Sequence, residues 1–196
     1  RRELLEGRGL YDGRPFSGED RIVFVLAGYA QDDSTGKYLQ NLKEKIAEAG
    51  VDALFIEEMV DESRYQEDGS KIYSLWDTYV FADFVTYPSL WEGWGNQLLE
   101  ALRARLPFML LEYPVYVEDI KGSDFRAVSL GSQIQGRDAR GLVQVSDEIV
   151  EQAADEAVDL LTDAALRSEV VEHNFRKAQE NYSLALLRAY FEKFIN

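Results

Sequence analysis

The chain reads as an α/β protein: a doubly wound parallel sheet followed by a helical C-terminal segment. Three observations predict this class. Short β-rich apolar runs alternate with amphipathic helical stretches from Ile22 to Leu130. The first two runs flank a helix, making a strand–helix–strand unit whose crossover is expected to be right-handed. From Ser146 onward the pattern becomes wholly helical.

The first run, Ile22-Val23-Phe24-Val25-Leu26 closed by Gly28, is expected to be a strand buried on both faces, as in a parallel sheet. Ser34 or Thr35 can cap a helix from Gly36 to Ala49. Leu39, Leu42 and Ile46 form its apolar face and Gly50 ends it. Ala53-Leu54-Phe55-Ile56 is the second strand. The acidic stretch Glu57 to Lys71 is expected to be a loop at a strand's carboxyl end, and Ile72 to Tyr79 a short helix. Val80 to Tyr87 reads as a buried strand (Asp83 to Tyr87) with its approach. A helix to about Arg105 follows a glycine-spaced turn. Pro107 to Leu111 is the fourth strand, Pro114 to Ile120 a short helix and Phe125 to Leu130 a fifth strand. Ser146 with Asp147 and Glu148 opens a helix whose apolar face is Val150, Ala154, Ala157 and Leu161. A further helix covers Ala164 to Asn181, and Ser183 caps a last one bearing the stripe Leu187, Tyr190, Phe191 and Phe194, expected to be core or a docking face.

Bulk composition narrows the function. With 196 residues, 46% apolar and 12% aromatic, the chain suits one domain with its own core. Twenty-one basic against 36 acidic residues give a net charge of −15, which opposes binding to nucleic acid and to anionic membranes. The absence of cysteine excludes disulfides, thiolate metal sites and cysteine nucleophiles, and favours a cytoplasmic setting. No apolar run reaches the roughly 20 residues of a transmembrane helix. The opening Arg1-Arg2-Glu3-Leu4-Leu5 carries neither a signal-peptide pattern nor an initiator methionine, so a segment of a longer protein is expected.

Function concentrates in Pro88 to Pro107, Pro-Ser-Leu-Trp-Glu-Gly-Trp-Gly-Asn-Gln-Leu-Leu-Glu-Ala-Leu-Arg-Ala-Arg-Leu-Pro. Ligands of open parallel sheets bind beyond the strands' carboxyl ends, where this turn lies. Gly93 and Gly95 permit positive φ and close approach, and the helix from Asn96 aims its free amides and positive dipole end at the same place, which favours phosphate. Leu98, Leu99 and Leu102 should face the sheet, leaving Asn96, Glu100 and Arg103 as a polar stripe. Glu100 there can accept two hydrogen bonds from a ribose diol; the alternative is a surface pair with Arg103. Glu92 lies between Trp91 and Trp94, a setting that suits sugar hydroxyls and ring C–H faces.

With Ala82-Asp83, Pro88-Ser89, Glu92-Gly93-Trp94-Gly95, Glu100-Ala101 and Pro107 at these spacings, the segment resembles the donor-binding signature of retaining glycosyltransferases with the GT-B fold (the group 1 type). The looser similarity covers Ile22 to Ile120, with an echo at Asn181-Tyr182-Ser183. The resemblance implies one Rossmann-like half of a GT-B enzyme, its C-terminal donor-binding domain. Residues 1–20 would be a lead-in or loop, 21–145 the nucleotide-sugar-binding core, and 146–196 helices packed on that core as part of a single domain. It implies that Glu92 contacts the transferred sugar near its anomeric centre. Amides around Gly93, Trp94, Gly95 and Asn96 would hold the sugar and distal phosphate, and Glu100 the ribose. The loop near Glu57 to Val60, with Met59, would line the base pocket. A nucleotide diphosphosugar would be the donor substrate, with no cofactor and no metal. Glu118 stands where many relatives carry a Glu.

Two departures accompany the resemblance. The Arg and Lys that neutralise the leaving diphosphate have no match; Gly13-Arg14 follows no apolar strand and reads as a loop. The N-terminal acceptor-binding domain is missing, so the isolated chain should bind weakly and turn over little. A sugar-nucleotide epimerase of the same architecture and a non-catalytic regulatory α/β module are the alternatives; a phosphorylase would need a pyridoxal lysine near the turn. His173 stands alone, and Asp32-Asp33 and Glu57-Glu58 read as solvated acids rather than metal ligands. Glu112 fits a turn as well as a site border. Ser89 lacks a nucleophile elbow and a partner His.

Overall fold

The computed structural model describes residues 2–27, 33 and 35–195. The expectations placed on Gly28, Asp32 and Ser34 lie outside the described residues, as does the side chain of Phe194. Strands β1 (Val23–Leu26) and β2 (Asp52–Phe55) run parallel, joined through α1 (Lys37–Glu48). α1 is anchored by Asp33 rather than by Thr35 alone: its carboxylate accepts from the Leu39 amide at 2.9 Å, which holds the acid below its usual range. Gly50 ends the helix at φ 63°.

The expectation that β1 is buried on both faces is overturned. Val23 and Val25 are 38% and 45% exposed and Leu54 of β2 is 54% exposed. α1 covers only one face, where Lys43 lies 4.8 Å above the Phe55 ring. Parallel pairing does not by itself bury both faces; a helix must lie on each.

Glu57 to Lys71 is not a plain loop. A 3₁₀ turn at Glu57–Met59 leads into β3 (Val60–Asp61), then β4 (Tyr65–Glu67) and β5 (Ser70–Ser74), in the order β3-β5-β4. Asp68-Gly69, at φ 48° and 81°, makes the tight β4–β5 turn, where two positive φ angles match the strand twist. This Asp-Gly hairpin signal outweighs the acidic composition. The helix expected at Ile72 therefore begins later, as α2 (Leu75–Phe81). Asp77 closes its first turn, accepting from the Ser74 amide at 2.8 Å and hydroxyl at 3.0 Å and pairing with Arg64. Because α2 extends to Phe81, the approach to the next strand is helical and Val80 and Phe81 are exposed, against the expected buried run.

β6 (Val85–Tyr87), β7 (Phe108–Leu110) and β8 (Val128–Ser129) form a parallel sheet in that order. It is covered on both faces. Phe108 and Leu110 pack with Leu98, Ala101 and Leu102 of α3 (Asn96–Ala104). Met109 packs on the other side with Ala153 and Leu160 of α4 (Asp147–Thr162) and Val170 of α5 (Ala164–Tyr182). Alternate strand residues thus feed two cores, the doubly wound arrangement in miniature. The α/β class stands, but among the described residues the parallel pairs fall in three sheets not hydrogen-bonded to one another: β1-β2, β3-β5 with its antiparallel neighbour β4, and β6-β7-β8. A π-helical turn at Tyr116–Ile120 and the short hairpin of β9 (Gly136–Arg137) and β10 (Val143–Gln144) complete this part.

Ser146 caps α4, accepting from Ile149 at 3.3 Å. Its buried positions are Ala153, Val158 and Leu160, whereas Val150 is 47% exposed, so the expected face is rotated. The reason is a second neighbour: Leu5 and Phe16 pack with Val158 and Leu161. Tyr11 donates to Asp83 at 2.6 Å and is stacked by Arg167 at 3.8 Å, tying this N-terminal segment to the approach of β6. In α6 (Leu184–Ile195), Leu187, Tyr190 and Phe191 are exposed, so the stripe is not core within the described residues. No helix among them is long and apolar enough to cross a membrane.

Ser74→Ala is expected to lower stability by about 1 kcal/mol in urea denaturation, the typical loss at a helix N-cap. Arg64 and the Ser74 groups hold the Asp77 carboxyl at about 2, below its ordinary value of 3.8. Its contribution is therefore present above about pH 4 and lost as pH falls toward 2. Denaturation curves of Asp77→Asn and the parent should converge across that acidic window.

Candidate functional site

β6 ends at Tyr87, and the chain turns through Pro88 to Gly95 before α3 begins at Asn96. The turn stands at the carboxyl end of a parallel strand, as expected from the pattern. Of its two glycines only Gly95 uses positive φ, at 97°; Gly93 does not, but a Cβ there would meet open space. Gly95 is buried against two phenols. An added Cβ would collide with the Tyr113 hydroxyl and stand 3.0 Å from that of Tyr87. The Tyr113 hydroxyl donates to the Trp94 carbonyl at 2.8 Å, pinning the turn from below. The Leu98 amide donates to the Gly95 carbonyl at 3.1 Å, but Gly95 has no side chain to cap α3, so no cap takes the first-turn amides of Asn96 and Gln97 from a ligand.

Trp94 points inward, edge-on to Tyr182 at 4.8 Å, while Trp91 is 75% exposed. The two indoles therefore do not frame Glu92 as a pair. Tyr182 also shares a hydrogen bond with Ser123 at 2.5 Å and stacks on Phe125, which explains the Asn181-Tyr182-Ser183 echo as a packing partner of the turn.

Glu100 does not pair with Arg103. Its Oε2 accepts from the Tyr79 hydroxyl of α2 at 2.8 Å, and burial together with the carboxylate pushes the Tyr79 phenol up. Arg103 instead lies 4.7 Å above the Trp76 ring, itself 5.6 Å from Tyr79. Asn96, Glu100 and Arg103 line a cleft of about 430 Å³ with Trp76, Phe175 and Tyr182. This volume lies within the range of small-molecule sites. The structure thus brings together the α3 amides, a half-satisfied carboxylate, a cation and aromatic walls.

Other residues named from the sequence fall elsewhere. Met59 is 50% exposed and does not line this cleft. Glu112 is held by Lys121 at 2.6 Å and Ser129 at 2.9 Å, a structural strut. Arg14 pairs with Asp12 on the surface. Glu118 is exposed on the π-helical turn. His173 reaches the Asp124 carbonyl at 2.7 Å and links α5 to that segment. Among the described residues no three acids or histidines gather at one point. Trp76, Tyr79, Tyr87 and Phe175 were not singled out from sequence. Aromatics at helix and strand ends carry no spacing signal; only tertiary contact gives them meaning.

No family model matches the chain. Over 178 residues, 91% of its length, it is 40% identical to a mannosylglucosylglycerate synthase from Thermotoga maritima. It is similar to glycosyltransferases. The synthase of the same name from Petrotoga mobilis is 36% identical over 157 residues, 80% of the chain. The chain spans 38% of the length of the first relative and 35% of the second. These relatives accord with the glycosyltransferase resemblance carried by Glu92 to Pro107.

Gly95→Ala combines a left-handed φ with a collision against Tyr113, so a loss of about 2 kcal/mol or more is expected in urea denaturation. Tyr113→Phe, which loses one hydrogen bond, should cost about 1 kcal/mol by the same measurement.

Proposed function

We propose that the chain is the donor-binding half of a retaining GT-B glycosyltransferase of the group 1 type, moving a hexose from a nucleotide diphosphosugar to an acceptor hydroxyl. The observation that carries this reading is that Asn96, at the uncapped start of α3 just after the αL Gly95, and Glu100 line one cleft; Glu92, Gly93, Trp94 and Gly95 lie beside it rather than in its lining. The distal phosphate would lie on the amides near Gly95 and Asn96. Glu100, one turn further along α3 and already oriented by Tyr79, would take the ribose diol with its remaining acceptor capacity. Glu92, half-buried in the turn, would meet the transferred sugar. Met59 is retained as a wall of the base pocket only in a donor-bound form that brings its turn to the cleft.

Catalysis would rest on holding donor and acceptor in register and stabilising charge on the departing diphosphate. On this reading the reaction involves neither a metal nor a cofactor. The relatives' name describes a mannosylated glucosylglycerate, so mannosyl transfer to glucosylglycerate is the first reaction to test. An acceptor-binding domain outside this chain and a cytoplasmic setting belong to the same proposal.

The test uses the full-length protein with mannose esters of guanosine, uridine and adenosine diphosphate, and glucosylglycerate as acceptor. One of them should support transfer with retained anomeric configuration, read by NMR of the product. Glu100→Ala should raise the donor KM roughly tenfold, as expected for lost hydrogen bonds to a carboxylate, and Glu92→Gln should lower kcat by about 10². Unchanged rate and donor affinity in both variants would remove the site assignment. Interconversion of the sugar nucleotide without acceptor would favour the epimerase, and no binding by calorimetry the regulatory module.

A further inference from the structure

The Tyr87 hydroxyl is buried, its residue 7% exposed, and no hydrogen-bond partner reaches it. Buried hydroxyls are nearly always paired, so an orphan at a strand's carboxyl end beneath a binding turn calls for a reason. Its surroundings are defined. A Cβ on Gly95 would stand 3.0 Å from it and closer still to the Tyr113 hydroxyl, and the two rings meet edge to face at 6.0 Å. Tyr113 donates to the Trp94 carbonyl, which leaves its oxygen able to serve Tyr87 only as a neutral acceptor. Bulk water does not reach the Tyr87 oxygen. The groups close enough to act on it are the hydroxyls of Tyr113 and Ser89 and the carboxylate of Glu92, of which only the carboxylate is a charged acceptor. The turn's one carboxylate is Glu92, five residues on, and its charge already pushes the Tyr87 phenol up alongside burial.

We propose that Tyr87 is a positioning residue for Glu92: when donor binds, the turn settles so that the Tyr87 hydroxyl donates to one oxygen of the Glu92 carboxylate and leaves the other aimed at the transferred sugar. The inference rests on the donor-site reading and adds to it the residue that orients the acid. Glu92 already acts on the Tyr87 phenol in the free state without a bond of good geometry, and the bond is completed in the complex, so its benefit appears in binding and turnover rather than in the fold. Tyr113 fixes the turn's height and Tyr87 the direction of its acid.

Tyr87→Phe in the full-length protein separates this role from a structural one. Loss of an unpaired hydroxyl should leave the melting temperature of the free protein unchanged or raised. With the mannosyl donor that supports transfer, kcat should fall roughly tenfold, the loss typical of a hydrogen bond to a charged group, with donor KM changed less than about twofold. Tyr87→Phe with Glu92→Gln should be no slower than Glu92→Gln alone, because both remove the same interaction. Full activity of Tyr87→Phe, or losses that multiply in the double variant, would overturn the proposal while leaving the donor site intact. If Glu92→Gln itself is fully active, the donor-site reading fails first. A large fall in melting temperature with kcat and KM unchanged would show Tyr87 to be a packing residue only.

Discussion

The site depends on one close approach: Gly95 seated against the hydroxyls of Tyr87 and Tyr113. No side chain fits there, and the φ of 97° excludes β-carbon-bearing residues a second time. From that seat follow the start of α3 at Asn96, the direction of its free amides and the placing of Glu100 one turn later. Tyr113 holds the Trp94 carbonyl, and Trp94 in turn docks on Tyr182 of α5. The turn is therefore braced from the sheet beneath and from the C-terminal helices beside it, the rigidity a binding turn needs.

Charge sets the second constraint. On the proposed donor-site reading a chain of net charge −15 would bind an anionic donor, so attraction has to be local. The α3 dipole, its uncapped amides and Arg103 over Trp76 supply it at one cleft, while most other arginines of the described residues are engaged by acids elsewhere. Asp83 of the Ala-Asp pair accepts from Tyr11 and joins the N-terminal segment to the approach of β6.

The parts legible in the sequence were those with a local cause. β1, α1, β2, α3 and β7 show in periodicity and in Gly50 and Pro107, and the first and last C-terminal helices in Ser146 and Ser183. The β4–β5 hairpin was equally local, but its Asp68-Gly69 signal was hidden by an acidic composition. What could not be read was tertiary. The exposed faces of β1 and β2 depend on where helices lie, and the rotated face of α4 on Leu5 and Phe16 arriving from the N-terminal segment. At the site, Glu92, Gly95 and Glu100 stood out by spacing. Tyr79, Trp76 and Tyr87 did not, because partners from separate elements or an absent partner give them their roles.

The central claim is that a nucleotide diphosphate group lies on the first-turn amides of α3 with its ribose at Glu100. A crystal structure of the full-length protein with the nucleoside diphosphate of the active donor tests it most directly. The account predicts phosphate oxygens within hydrogen-bond distance of the amides near Gly95 and Asn96, and the ribose hydroxyls on the Glu100 oxygen not held by Tyr79. Density for the nucleotide in another cleft, with Gly95 to Glu100 unoccupied, would contradict it.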